Sequence, residues 1–262
     1  MLYSSSPRVH YRKHQLAEVI CQLRFPEILS INAAPPAEFQ EAVRQEFPRY
    51  HLRQDIPAPK ITGAPGHFAL ENQPRTTNYQ FTSADGYRRI NLTSKFISVS
   101  CANYTCWEDF AETMDRVLAA FIRLYRPAYF ERIGLRYLNV ISRNALGLKE
   151  SKFAELITPC YLGPLADADV NELSTVRCTL DLEMAIRGGC RVKLHAGPGR
   201  VKRAGRDDPE VKYVFDQDLF MPGQVPVNLS AGALQTLHTQ AYPIFRGAIT
   251  DALHDAMKPE QL

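Results

Sequence analysis

Apolar and polar residues alternate over residues 17–25, with Val19, Cys21, Leu23 and Phe25 on one side, and this predicts a half-buried strand that Pro26 ends. Helical spacing follows: Phe39, Val43 and Phe47 recur over 37–47, after Pro35-Pro36 and before Pro48. Residues 51–74 are rich in proline and glycine and predict one irregular strand. Residues 79–84 and 87–100 predict a hairpin turning at Asp85-Gly86. The stripe Trp107, Phe110, Met114, Val117, Phe121 and Leu124 predicts an amphipathic helix over 107–125.

The same order then recurs. A strand is predicted over 130–142, a short helix over 152–158, a hairpin of 176–186 with 191–195 across Gly188-Gly189, a strand over 211–220 and a long helix over 229–254. Residues echo as well as elements, Leu23-Arg24-Phe25 against Leu135-Arg136-Tyr137. The expectation is an α+β fold: two pseudo-repeated β-α-β-β-β-α units, 1–128 and 129–262, in one compact domain. Their curved antiparallel sheet carries helices on one face.

Period two gives every strand an apolar face, such as Val19, Cys21, Leu23, Ile133, Leu135, Tyr213 and Phe215, which belongs under the helices. The opposite face collects Gln22, Arg24, Arg89, Asn91, Arg132, Arg136, Asp181, Glu183, Arg191, Lys193, His195, Asp216 and Asp218. An antiparallel sheet can leave such a face in water, so a solvated surface of compensating charges is one reading. A surface that grips an anion is the other, because a planar guanidinium holds phosphate or carboxylate through two hydrogen bonds.

The net charge of +3, from 31 Lys+Arg against 28 Asp+Glu, is too small to announce a nucleic-acid binder. Six scattered cysteines without a C-x-x-C pair, a polar basic start and no long apolar run lead us to expect a cytoplasmic, reducing location without membrane contact. No G-x-S-x-G, H-E-x-x-H or zinc-type Cys/His spacing occurs, which weighs against serine, cysteine and zinc hydrolases.

Three constellations remain. Asp216-x-Asp218 puts two carboxylates on one strand face, and with Asp181 and Glu183 on a neighbouring strand they would offer oxygen ligands for Mg²⁺ or Mn²⁺. The glycine-rich basic loop containing Arg200, Lys202 and Arg203 is expected to be a disordered surface loop, with a phosphate clamp that is not a P-loop as the alternative. His10 and His14 sit in a basic segment expected to be a mobile arm, and His238 on the closing helix is expected to be a buried, hydrogen-bonded histidine.

The strand Arg132-Ile133-Gly134-Leu135-Arg136-Tyr137-Leu138-Asn139 carries more. With Cys21-Gln22-Leu23-Arg24-Phe25, Trp107 and Phe110, Asp216-x-Asp218, and Leu237-His238 before Phe245, the chain resembles a sporadically distributed bacterial family of uncharacterised proteins. Its hallmark is this central R-x-G-L-R-Y-x-N strand. The resemblance implies a bacterial cytoplasmic protein, and patchy distribution implies exchanged cargo such as defence or mobile-element genes. It implies no activity.

Gly134 between Arg132 and Arg136 predicts a shallow notch flanked by two guanidinium groups, a seat for phosphate or carboxylate. An ion pair from Arg136 to Asp181 or Asp216 is the structural alternative. The sequence thus points to a binding protein, not a catalyst. Arg132, Gly134, Arg136, Asn139, Arg24, Arg191, Lys193, Arg200, Lys202 and Arg203 would meet an acidic partner or a nucleotide or nucleic-acid backbone. Self-association stays open, and no cofactor is expected. The alternative is a metal-dependent phosphohydrolase or nucleotide-processing enzyme with Asp216 and Asp218 on the metal.

Overall fold

A computed structural model describes residues 2–56, 60–64, 67–71, 75–203 and 206–261; for 60–64, 67–71, 202–203 and 206–207 the backbone alone is described. Nine strands form one open antiparallel sheet. In chain order they are β1 (Leu16–Arg24), β2 (Arg49–Asp55), β3 (Thr76–Thr82), β4 (Arg88–Leu92), β5 (Phe96–Cys101), β6 (Phe130–Ile141), β7 (Leu180–Ala185), β8 (Arg191–Gly199) and β9 (Lys212–Val225). Their order across the sheet is β7-β8-β9-β6-β1-β5-β4-β3-β2. The opening strands of the two halves, β1 and β6, therefore pair at the centre, and each is flanked by the last strand of its own half. The α+β class with antiparallel sheet is as expected.

Several elements differ from the sequence expectation. The stretch 87–100 is two strands, because Thr93 Oγ1 accepts from the backbone N–H groups of Lys95 and Phe96 and folds the chain back. The proline-rich stretch contributes a regular edge strand, β2, and a small hairpin of Lys60–Ala64 with His67–Glu71. The first half thus gives the nine-stranded sheet four strands after its helix, one more than the second. The strand expected from residue 176 begins at Leu180.

Four helices matter here: α1 (Ala37–Val43), α2 (Trp107–Tyr125), α3 (Ser230–Ala248) and α4 (Asp251–Ala256). The helix expected over 229–254 is broken at Ile249-Thr250, where Ile249 bridges to Ile157 and the Thr250 side chain caps α4 by accepting from Leu253 N–H. α2 buries Trp107, Phe110, Met114, Val117 and Phe121, and it ends where Arg126 turns left-handed (φ 45°) before Pro127. α3 packs on β6 and β9, and α1 packs on α2. Val19, Cys21, Leu23, Ile133, Leu135, Tyr213 and Phe215 are all buried on the sheet face beneath them. No helix among the described residues is long and apolar enough to cross a membrane.

The segment expected to be a mobile arm is pinned. Val9–Tyr11 pairs antiparallel with Pro259–Gln261, Ser4 N–H donates to Pro243 O, and Arg12 pairs with Glu260. Leu2 passes so near α3 that a Cβ on Gly247 would lie 2.8 Å from the Leu2 carbonyl oxygen. That contact explains the glycine.

Candidate functional site

The open face comes first, because most of the sequence-derived candidates lie there. Register sets Glu183, Lys193, Asp218 and Arg136 side by side across β7, β8, β9 and β6, and sets Asp181, His195 and Asp216 in the row alongside. A cationic or imidazole side chain thus stands between successive carboxylates. Arg136 grips Asp216 through Nε and Nη2, and Arg132 Nη2 donates to both Asp218 oxygens at 2.7 Å. Glu183 takes Arg191 at 3.4 Å and Lys193 at 3.5 Å, and Asp181 takes His195 at 2.6 Å.

The four carboxylates line one depression of this face, each already facing a guanidinium, ammonium or imidazole partner. Among the described residues no group of three or more His, Cys, Asp or Glu is disposed to hold a metal ion. The half of this face from β1 to β3 is uncharged along its central row, with Gln80 donating to Asn91 and Asn91 to Ser98.

The notch at Gly134 exists but is filled. The Arg132 guanidinium lies across the glycine and 4.5 Å above the Phe220 ring, and a Cβ on Gly134 would sit 2.2 Å from Arg132 Nη1. Arg24 is exposed beside Arg132 without an ion pair among the described residues, and Arg200 is exposed. The side chains of Lys202 and Arg203 lie outside the described residues. Asn139 is a correction: it shares the parity of Ile133, Leu135 and Tyr137, so it faces the helices and is 3% exposed.

That side of the sheet holds a cavity of about 130 Å³. Its floor is Tyr137 and Asn139 on β6 and Gln217 on β9, where Tyr137 and Gln217 are cross-strand partners. One wall is the α3 face of His238, Ala241, Tyr242 and Phe245, at helical spacing; Tyr104 and Cys106, leading into α2, form another. The pinned arm closes it with Val9, Tyr11 and His14. Gln15 locks the arm to the end of β6, its Oε1 accepting from Ser142 N–H and its carbonyl from Val140 N–H. Arg8 and Glu108 stand exposed at the mouth.

His238 is fixed from two sides. Its ring stacks on Trp107 at 4.1 Å between centroids and 4° between planes, and its Nδ1 is 2.7 Å from the Tyr137 hydroxyl. Trp107 Nε1 in turn donates to Gln235. Burial, and secondarily Arg8, push the His238 pKa down to about 4, while burial raises the Tyr137 phenol well above its ordinary value. At neutral pH the ring is neutral and the phenol protonated. His14 is pushed down too, first by burial and then by His10.

No known family model matches the chain, and no curated protein is similar to it. The site therefore stands on its own geometry. Among the described residues, His238 Nε2, Gln217 Oε1, His14 Nδ1 and the Tyr242 hydroxyl, all on residues that line it, are buried without a hydrogen-bond partner. Buried polar atoms cost about 1–3 kcal/mol each when left unpaired, so four on the residues lining one cavity call for an explanation.

Sequence reasoning missed this site although a signal was present. Asn139 and Gln217 occupy core-parity positions of their strands, and His238 sits in the apolar stripe of α3 with Leu234, Leu237 and Ala241. Polar residues at buried parity on three elements are what betray a polar cavity.

Proposed function

We propose that this chain is a binding protein that encloses a small ligand between its sheet, α3 and the pinned arm. The observation that carries this is that four of the residues lining one cavity bear buried polar atoms with no partner among the described residues. Tyr137 and His238 have pKa values driven apart and away from neutrality, which suits binding more than proton transfer. The resemblance supports a reducing bacterial cytoplasm as the setting of this binding protein.

A thermal-shift screen of small neutral compounds tests it. A ligand that binds the native state alone raises the melting temperature. Ala241, 4% exposed in the α3 wall, provides the control: Ala241→Met fills the cavity, and the shifts should disappear while the variant stays folded. Shifts that survive Ala241→Met but vanish on Arg136→Glu would move the site to the open face.

A second reading rests on that open face, which no helix covers and where Arg24 and Arg89 carry no ion pair among the described residues. An acidic protein or a nucleic-acid backbone would dock there, with affinity falling steeply with salt. The interlaced ion pairs weigh against it.

A further inference from the structure

Taking the cavity as the binding site, we infer that its ligand is an uncharged, single-ring planar molecule bearing an amide or lactam group. Size comes first. About 130 Å³ is near the roughly 150 Å³ that seats a benzene-sized molecule, so one six-membered ring with small substituents fits and a fused polycycle does not.

Charge comes next. No Asp, Glu, Lys or Arg side chain is buried in the lining: of its three histidines, His14 and His238 are pushed toward the neutral form by burial, Tyr137 keeps its proton, and Arg8 and Glu108 stand exposed at the mouth with opposite signs. An ion carried inside would lose its water without gaining a counter-charge, a cost no neutral ligand meets. The mouth pair favours neither anion nor cation.

Shape and polarity complete the class. The walls are ring faces and edges from Tyr104, Tyr137, Phe245 and His238, which favour a flat π-system. The polar groups left over are His14 Nδ1, the Tyr242 hydroxyl, an imidazole nitrogen, His238 Nε2, and a carboxamide oxygen, Gln217 Oε1, and the ligand class follows from the last two. A neutral imidazole offers one donor and one acceptor, and its Nδ1 is already committed to Tyr137. A carboxamide oxygen requires a donor. A ligand amide supplies an N–H and a C=O on adjacent atoms, so it satisfies Gln217 and still matches His238 in either tautomer. A hydrocarbon ring would leave both unpaired.

The test uses four probes of nearly one shape: benzamide, benzoate, benzamidine and toluene. Binding is followed in the intact protein by calorimetry and by the fluorescence of Trp107, the single tryptophan of the chain, stacked directly behind His238. Benzamide should bind at least tenfold tighter than each of the others. His238→Phe, which keeps the stack, and Gln217→Leu should each weaken benzamide about tenfold and leave toluene unchanged or tighter.

Benzoate or benzamidine binding as well as benzamide would overturn the neutral class while the cavity kept its role. Toluene equal to benzamide would overturn the amide. If none of the four binds to the wild-type chain, both the ligand class and the cavity reading fall, and the space is a hydrated void.

Discussion

Arg132 lies flat across Gly134 because that glycine leaves room, and the arginine then reaches Asp218 with both carboxylate oxygens in range. Gly134→Ala should push the guanidinium off its seat. The atom in the way is the free end of a long side chain, so the expected loss is modest, about 1 kcal/mol. In an Arg132→Ala background the same alanine should cost almost nothing, and a double-mutant cycle in urea measures the coupling.

A second residue-scale prediction follows from His238, whose folded pKa is depressed below its unfolded value. Between about pH 6.5 and pH 4 the unfolded chain binds more protons at this group than the folded one. The stability it contributes is complete above pH 6.5 and is lost as pH falls toward 4. At about 1.4 kcal/mol per unit the total is about 3 kcal/mol. His14 and His254 are lowered too and act in the same direction. Unfolding midpoints from pH 7 to pH 4 should fall less steeply in His238→Gln, and parallel curves would rule the histidine out as the source.

At this scale the sequence was partly legible. It paired Arg136 with Asp216 as one of two alternatives, since register follows from period two once neighbours are known. It placed Asn139 with the arginines by motif, although parity sets it on the other face.

Among the elements, the pinned arm makes the sharpest prediction. Removing residues 259–262 deletes the partner strand of Val9–Tyr11. Amide exchange at 9–11 should accelerate by at least tenfold, with less effect on β6 and β9. Gly247→Ala should loosen the arm at its other contact, because the obstacle is Leu2 backbone and not a flexible tip. Limited proteolysis should then cut before residue 8, and an uncut variant would mean that the helix yields instead.

The arm was illegible in sequence because its order comes from pairing with residues 250 positions away and from one close backbone contact, and neither leaves a local pattern. The long helices and most sheet strands were legible because their amphipathic periods are strong. The break within 87–100 was not, because a threonine turn between two apolar runs leaves the alternation nearly intact.

For the whole molecule, helices on one face and an open sheet on the other were readable from strand faces alone, while the strand order was not. The order matters for stability, since β1 and β6 join the halves by an antiparallel ladder that runs unbroken from Glu18 opposite Leu138 to Arg24 opposite Arg132. Pro at position 135 or 21 on this seam would remove a central ladder bond and cut both halves apart, so Leu135→Pro should abolish cooperative unfolding of the whole sheet. The same proline at Gln54 on the edge strand β2 should leave one cooperative transition near its original midpoint. Calorimetry distinguishes the two.

The pairing of Val9–Tyr11 with Pro259–Gln261 also has a consequence in time. On a ribosome these partners emerge roughly 250 residues apart, on the order of tens of seconds at ordinary elongation speeds. During that interval β6 and its neighbours can fold, yet the roof over Tyr137 and Gln217 has nothing to fasten to. The pocket is roofed only once residues 259–261 have been made, so a ligand can settle on Tyr137 and Gln217 before the arm is fastened over it.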